Sequence, residues 1–355
     1  MLEEADYYNI TRVLSYHCAW NFIIGARGLG KTYAVKKLCI DDFLKRGNEF
    51  IYLRRYDTEQ HNKGTFFSDI EAQYPTIEFR VNGNIAQCRP HIEDDDDDKT
   101  PWRTMGYFLA LSQAGHVKSV AYPKVRTVFF DEIFPDNGQY LSGEVTRLEE
   151  FYSTVDRWND RVRLIMCSNA VSLANPYFAF FKIDAKKQMD DGNQFRRYCG
   201  GYIMLELADY GGFSAKVATS KFGRFLMQYD ESYAQYSIAN KFRDDDDALI
   251  NSNTDGAEYC FTLCTREYGE FGIWQQWDDN GAHWLVTRKA KKSGKRYTYD
   301  YRLVDNDTAM LRRADDLTKK LLDAYGVGKV CFPNQQCKSE FGMLLGTLMS
   351  QAKTK

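Results

Sequence analysis

No apolar run in this 355-residue chain approaches the roughly 20 residues that a membrane-spanning helix requires. No signal-peptide pattern opens it, so a soluble cytoplasmic protein with no membrane partner is expected. The nine cysteines are an odd number in such a chain, which argues against a disulfide scaffold and for reduced thiols. Cys260 and Cys264, and Cys331 and Cys337, are spaced too loosely for a zinc knuckle, and no paired histidine motif follows. An excess of one charge is also missing: 47 basic and 49 acidic side chains leave a net −2. A DNA reader with a basic domain is therefore not expected, and any nucleic-acid contact must be local and salt-sensitive. There is no internal repeat.

What is present is enough apolar material, 44% of residues, for two domains with real cores. The first half alternates short apolar runs with amphipathic segments, the pattern of a parallel α/β sheet. Strands are predicted at Cys18–Ile24, Glu49–Leu53, Tyr107–Leu111, Val125–Phe130 and Val162–Cys167. Helices are predicted at Thr32–Arg46, closed by Gly47, and at Leu141–Arg157, and a hairpin turns on Asn82-Gly83. The acidic run at Glu93–Lys99 reads as a solvated surface loop. Past residue 205 the pattern changes: residues 206–250 read as a linker with a short helical stretch at Ser220–Asn240. From Ala257 four alternating runs, "YCFTLCTREY", "FGIWQQW", "HWLVTRK" and "RYTYDYRLV", predict an antiparallel meander, and "ADDLTKKLLDAYG" a helix after it. The division is thus 1–205, 206–250 and 251–355.

The chemistry begins at Gly25-Ala26-Arg27-Gly28-Leu29-Gly30-Lys31-Thr32, a G-x-x-x-x-G-K-T between an apolar strand and a helix. Glycines let backbone amides wrap a phosphate at a helix N-terminus; Lys31 reaches the β and γ phosphates and the Thr32 hydroxyl binds Mg²⁺. "VRTVFFDE" supplies the second half: a buried strand that presents Asp131 for Mg²⁺ and Glu132 as base or orienter of the attacking water. That adjacent glutamate points to the additional-strand branch of P-loop ATPases, which act as rings or filaments. "VRLIMCSNA" ends in Ser168-Asn169, where Asn169 could sense the γ-phosphate, although a plain strand-ending cap reads equally well. Ring ATPases lend an arginine to the neighbour's γ-phosphate; Arg157 in "TVDRWNDRVRL" is the candidate trans arginine finger, with Lys118 a second trans candidate. Arg27 lies inside the loop as a further phosphate or neighbour contact. Rival readings are another ring ATPase, a helicase or conjugative DNA pump, and a non-hydrolysing nucleotide-dependent clamp at a capsid vertex.

The blocks "NFIIGARGLGKTYAVKK", "EFIYLRRY", "KSVAYPKVRTVFFDE" and "RVRLIMCSNAVSLANPYFAFF" closely resemble the DNA-packaging ATPases of phi29-like bacteriophages over roughly residues 1–185. The resemblance implies a RecA-like P-loop domain with a parallel central sheet, a small helical linker, and a smaller α+β C-terminal domain like a degenerate RNase H nuclease. It also implies a homomeric, pentameric ring at the portal of a procapsid, acting in the host cytoplasm and using ATP and Mg²⁺ to drive double-stranded DNA inward. Whether a scaffold RNA takes part is left open. By motif, Arg157 aligns with the family's trans-acting arginine, and Arg54 and Arg55 with a basic pair that contacts nucleotide or a neighbour. Asp57 stands where a family lysine follows that pair, which weakens any trans contact there. The runs "YCFTLCTREY" and "FGIWQQW" carry no aspartate at their centres, so no nuclease activity is expected. The cluster Arg288-Lys289-Ala-Lys-Lys292 with Lys295-Arg296 is the best nucleic-acid or procapsid-docking patch in the chain, or else a solvated turn.

Overall fold

The structure is a computed structural model that describes residues 7–91, 100–117, 120–136, 138–230, 233–234, 242, 249–251, 255–278 and 281–350. Lys118 and the acidic run at 94–98 fall outside these residues. Contacts divide the chain into two compact units, Met1–Val171 with Gln188–Arg243, and Ser172–Lys187 with Asp244–Lys355. That division departs from the boundaries at 205 and 250 expected from the sequence. An excursion at 172–187 belongs with the second unit, and the stretch up to Arg243 belongs with the first.

The first unit is built on nine strands: β1 (Trp20–Gly25), β2 (Glu49–Arg54), β3 (Ile77–Asn82), β4 (Ile85–Pro90), β5 (Arg103–Ala110), β6 (Val125–Asp131), β7 (Arg163–Ser168), β8 (Phe195–Tyr198) and β9 (Ile203–Ala208). Their order is β3-β4-β5-β2-β6-β7-β1-β9-β8. The six from β5 to β9 in that order pair in parallel, and β3, β4 and β8 add antiparallel edges. Parallel strands covered on both faces need unbroken apolar runs, which is why β1 and β6 read so clearly. All five strands expected from the sequence form, each within a few residues of its predicted ends. β9 was missed because Glu206 interrupts "YIMLELA", yet that side chain is fully buried beside the P-loop strand. Its carboxylate accepts from the Tyr8 hydroxyl at 2.6 Å and from the Gln194 amide at 3.4 Å.

The helix Lys31–Arg46 starts at Gly30 and stops at Gly47, both left-handed, and buries Val35, Cys39, Ile40 and Phe43 along one stripe. Gly211 and Gly212, read as a connector, instead open the helix Gly211–Thr219, whose Phe213 joins the core of the first unit. Ser220 caps the following helix Lys221–Tyr229, accepting from Gly223 N at 2.9 Å. Among the described residues this is the part of the predicted helical stretch Ser220–Asn240 that forms a longer helix.

The second unit holds β10 (Glu258–Thr265), β11 (Gly269–Asp278), β12 (Gly281–Thr287), β13 (Arg296–Thr298), β14 (Thr308–Met310) and β15 (Val330–Cys331), ordered β14-β13-β10-β11-β12-β15. Only the first three make the expected meander. The fourth run does not continue it: β13 crosses back to the free edge of β10 in parallel, and β14 adds to β13 in parallel. Three antiparallel strands with two parallel ones on the first strand's side is the 3-2-1-4-5 order of an RNase H-like sheet. The helices Asp316–Gly326 and Gln335–Ser350 cover its core, with Leu321, Phe341 and Leu345 packed among Phe261, Leu263, Phe271, Ile273 and Val286.

Candidate functional site

β1 carries the chain out of the sheet at Gly25, where an added Cβ would lie 3.0 Å from Ala208. Gly28 and Gly30 take φ of +77° and +92°, a conformation L side chains rarely adopt, so the loop wraps as the motif requires. Ala26 and Leu29 are buried, leaving only their backbone to serve a phosphate, while Arg27 is exposed in the mouth of the loop. Lys31 folds back over its own loop. Its ammonium donates to Gly25 O at 2.8 Å, to Ala26 O at 2.7 Å and to Asn169 Oδ1 at 3.3 Å. Burial lowers its pKa to about 8.

β6, adjacent to β2 and β7, delivers the acids to the same edge. Asp131 is buried; the Thr32 hydroxyl donates to its Oδ1 at 3.1 Å and the Tyr52 hydroxyl to its Oδ2 at 3.2 Å. Burial raises its pKa, opposed by the Arg54 guanidinium and by those hydrogen bonds. The two adjoining oxygens of Thr32 and Asp131 suit a hard divalent cation such as Mg²⁺, which takes few protein ligands and keeps its waters. Glu132 leaves the strand with φ +56°, an uncommon conformation that a non-glycine residue keeps only where its surroundings impose it. Its side chain stays 65% exposed, and its carboxylate is held by Arg54 Nη2 at 2.5 Å. Arg54 also reaches Glu59 at 3.3 Å.

Arg55 differs from its neighbour. It is 1% exposed and forms a two-pronged ion pair with the buried Glu144, at 2.8 and 2.9 Å, while donating to the carbonyls of Glu132 and Ile133. Arg55 therefore touches the turn after the Asp131-Glu132 strand with its guanidinium already committed. Glu144 begins the helix Glu144–Asp156, and Arg157 is its C-cap with φ +53°. Arg157 is exposed, with one long contact to Val120 O at 3.5 Å. It is not among the residues lining the cleft that Arg27, Lys31, Thr32, Asp131, Glu132 and Asn169 share, a space of about 580 Å³.

Sequence reasoning thus brought together the loop, Asp131, Glu132 and Asn169, and missed Tyr52, Glu59 and Glu144, whose roles come from strands and helices far away in the chain. Tyr52 alone carried a signal, as a hydroxyl inside an apolar strand beside the acid-ended one. In the second unit the basic cluster is partly spent. Arg288 lies 4.0 Å above the Phe271 ring, bonds the Tyr268 and Glu270 carbonyls and pairs with Glu340; Arg296 pairs with Glu270. Lys289, Lys292 and Lys295 remain exposed.

Comparison with known proteins agrees with this geometry. The family model for the podovirus DNA encapsidation protein (Gp16) matches residues 2–345. The DNA packaging protein of Bacillus phage B103 is 35% identical over 264 residues, covering 74% of this chain and 76% of that protein. That of Bacillus phage phi29 is 34% identical over 275 residues, covering 77% and 76%. Among solved structures, the bacteriophage phi29 viral genome packaging motor assembly has a chain 29% identical, with TM-score 0.73, covering 97% of this chain and 99% of its own. The N-terminal domain of the phi29 DNA packaging ATPase is 37% identical with TM-score 0.50, covering 58% of this chain and 98% of its own. Glycine loop, paired acids and full-length likeness together place this chain in the podovirus DNA encapsidation family.

Proposed function

We propose that this chain is the ATP-hydrolysing subunit of a homomeric ring, a pentamer by the family resemblance, that moves double-stranded viral DNA through a portal into a preformed procapsid. The observation that carries the reading is the convergence at one sheet edge of Lys31, Thr32, Asp131 and Glu132, with Thr32 and Asp131 3.1 Å apart. Loop amides and Lys31 cradle the phosphates, which requires Lys31 to exchange its contacts with Gly25 and Ala26 for phosphate oxygens. Mg²⁺, when bound with ATP, would draw on Thr32 and Asp131 and neutralise phosphate charge. Glu132 must leave Arg54 to accept a proton from the attacking water. Asn169 reports the state of the phosphates, a reading supported by its contact with Lys31 at 3.3 Å. Arg157, exposed and not part of its own cleft's lining, serves the neighbouring subunit's. Lys118 keeps its proposed trans role, outside the described residues.

We assign no nuclease chemistry to the second unit. Asp300, at the end of β13, is bound by Arg302 at 2.7 Å and lies 3.9 Å from Arg266, and β10 carries no acid from Tyr259 to Thr265. The exposed lysines between β12 and β13 serve DNA or procapsid contacts. The test is duplex-stimulated ATPase activity of the purified chain together with DNA packaging into purified procapsids. Strand separation, or hydrolysis indifferent to DNA, would sink the reading.

A further inference from the structure

The turn after the helix Glu144–Asp156 is unusual in two respects. Arg157, Trp158 and Asp160 all take left-handed φ, at 53°, 60° and 52°, although none is glycine. Trp158 is also 88% exposed, more than any other large apolar side chain described, and Val120, whose carbonyl Arg157 reaches, is itself 43% exposed.

This conformation is imposed by its surroundings. The Asp156 carboxylate accepts four backbone N–H groups: Asn159 and Asp160 on Oδ2, both at 3.0 Å, and Arg161 and Val162 on Oδ1, at 2.9 and 3.0 Å. Those bonds hold its pKa below the ordinary carboxylate value against the raising effect of burial. From the other side the Arg161 guanidinium donates to the carbonyls of Tyr122, Pro123, Val125 and Val155. Asn159 closes the turn by donating to Asp156 O and Arg157 O. Arg161 is thereby consumed as a brace, and among the exposed residues 157–160 the cation and the large apolar side chain are Arg157 and Trp158.

We propose that this locked turn is a subunit contact, in which the Trp158 indole anchors on a second copy of this chain and seats Arg157 at that copy's nucleotide cleft. The inference rests on the ring reading above and names the residue that positions its arginine. Strain held this firmly signals function rather than accident, and tryptophan with arginine is the pair that concentrates binding energy at interfaces. The occupant follows from charge. The cleft is walled by Glu59, Asp69, Asp131, Glu132 and Asp136 as well as by Arg27, Lys31 and Arg55, and a bound triphosphate adds the negative charge that a neighbour's cation would meet. A cation outside its own cleft, beside an uncovered indole, matches that surface on a neighbour. Trp158 is a positioning residue here: it touches the neighbour's surface, not the reacting atoms.

The test compares full-length wild type, Trp158→Ala and Arg157→Ala in duplex-stimulated ATPase activity over a wide range of protein concentration, with sedimentation in ATPγS. Trp158→Ala is expected to raise the concentration for half-maximal specific activity at least ten-fold and to recover turnover at saturating protein. Arg157→Ala is expected to lower turnover at every concentration while sedimenting as wild type. Asp156→Asn should combine both defects, because it loosens the turn that carries both side chains. A Trp158→Ala chain that assembles and hydrolyses over the wild-type range overturns the anchor. A wild-type specific activity independent of concentration overturns it as well. Full activity in Arg157→Ala would instead remove the trans arginine, a failure of the parent reading visible without reference to Trp158.

Discussion

The two sheets use their charges in opposite ways. In the first unit acids and bases arrive at the ends of parallel strands and converge on an open cleft, where Lys31 rests on carbonyl oxygens and Glu132 stays 65% exposed under a single arginine. In the second unit the charges at and around the sheet neutralise one another: Asp300 with Arg302, Glu270 with Arg296, and Glu340 of the covering helix with Arg288. The chemical potential of a strand end thus depends on whether its charges already have partners. The first unit keeps groups that can change partner when a nucleotide enters, and the second keeps a scaffold of settled pairs.

The sharpest way to break this contrast is to remove an acid from each sheet. Glu132→Gln should lower ATP turnover by about 10²–10⁴-fold with nucleotide binding retained, whereas Asp300→Asn should leave turnover unchanged; comparable losses in both would erase the distinction. Next in size is the buried pair. Glu144→Ala leaves the Arg55 cation uncompensated and should cost about 3–5 kcal/mol, against no more than about 1 kcal/mol for Glu270→Ala at the half-exposed pair; denaturant unfolding measures both. A smaller effect is a proton. Lys31, with its pKa lowered to about 8 by burial, is partly neutral from pH 8 upward. Phosphate favours its charged form, so ATP binding near pH 8.5 should take up a fraction of a proton, read as a buffer-dependent binding enthalpy. Lys31→Met should abolish that uptake.

Smallest is Glu206, whose pKa burial pushes up to about 7. The folded state then holds its proton longer than the unfolded state, so stability falls as pH rises from about 4.5 to 7. Glu206→Gln should flatten that part of the melting-temperature profile. A slope unchanged by the substitution would show that the carboxyl ionises elsewhere in the range.

Motifs were legible where short segments carry their own chemistry. The glycine loop, the acid pair and the apolar strands around them require nothing from afar, and they form where periodicity placed them. Partnership was not legible. Nothing in "LRRY" distinguishes Arg54, which holds a carboxylate at the cleft, from Arg55, which is buried on a residue 89 positions later. Arg54 ends β2 and Arg55 follows it, and what each meets is decided by the neighbouring strand and by the helix Glu144–Asp156, not by the segment itself. Glu206 hid β9 because an acid in an apolar run reads as a break, until Tyr8 and Gln194 supply its hydrogen bonds. The parallel return of β13 was hidden too, since a local pattern does not say which edge of a meander the next strand will join.

The helix Glu144–Asp156 spans 13 residues, about 20 Å. Through Arg55 its first residue is bolted to the carbonyls of Glu132 and Ile133, and its last residue braces the turn that holds Arg157. A stiff rod fixed at both ends transmits displacement instead of absorbing it. On the proposed function, the arginine that a subunit would lend is thereby geared to the turn after its own Asp131-Glu132 strand, and each member of a ring would hand its neighbour a mechanical report of where it stands in the cycle.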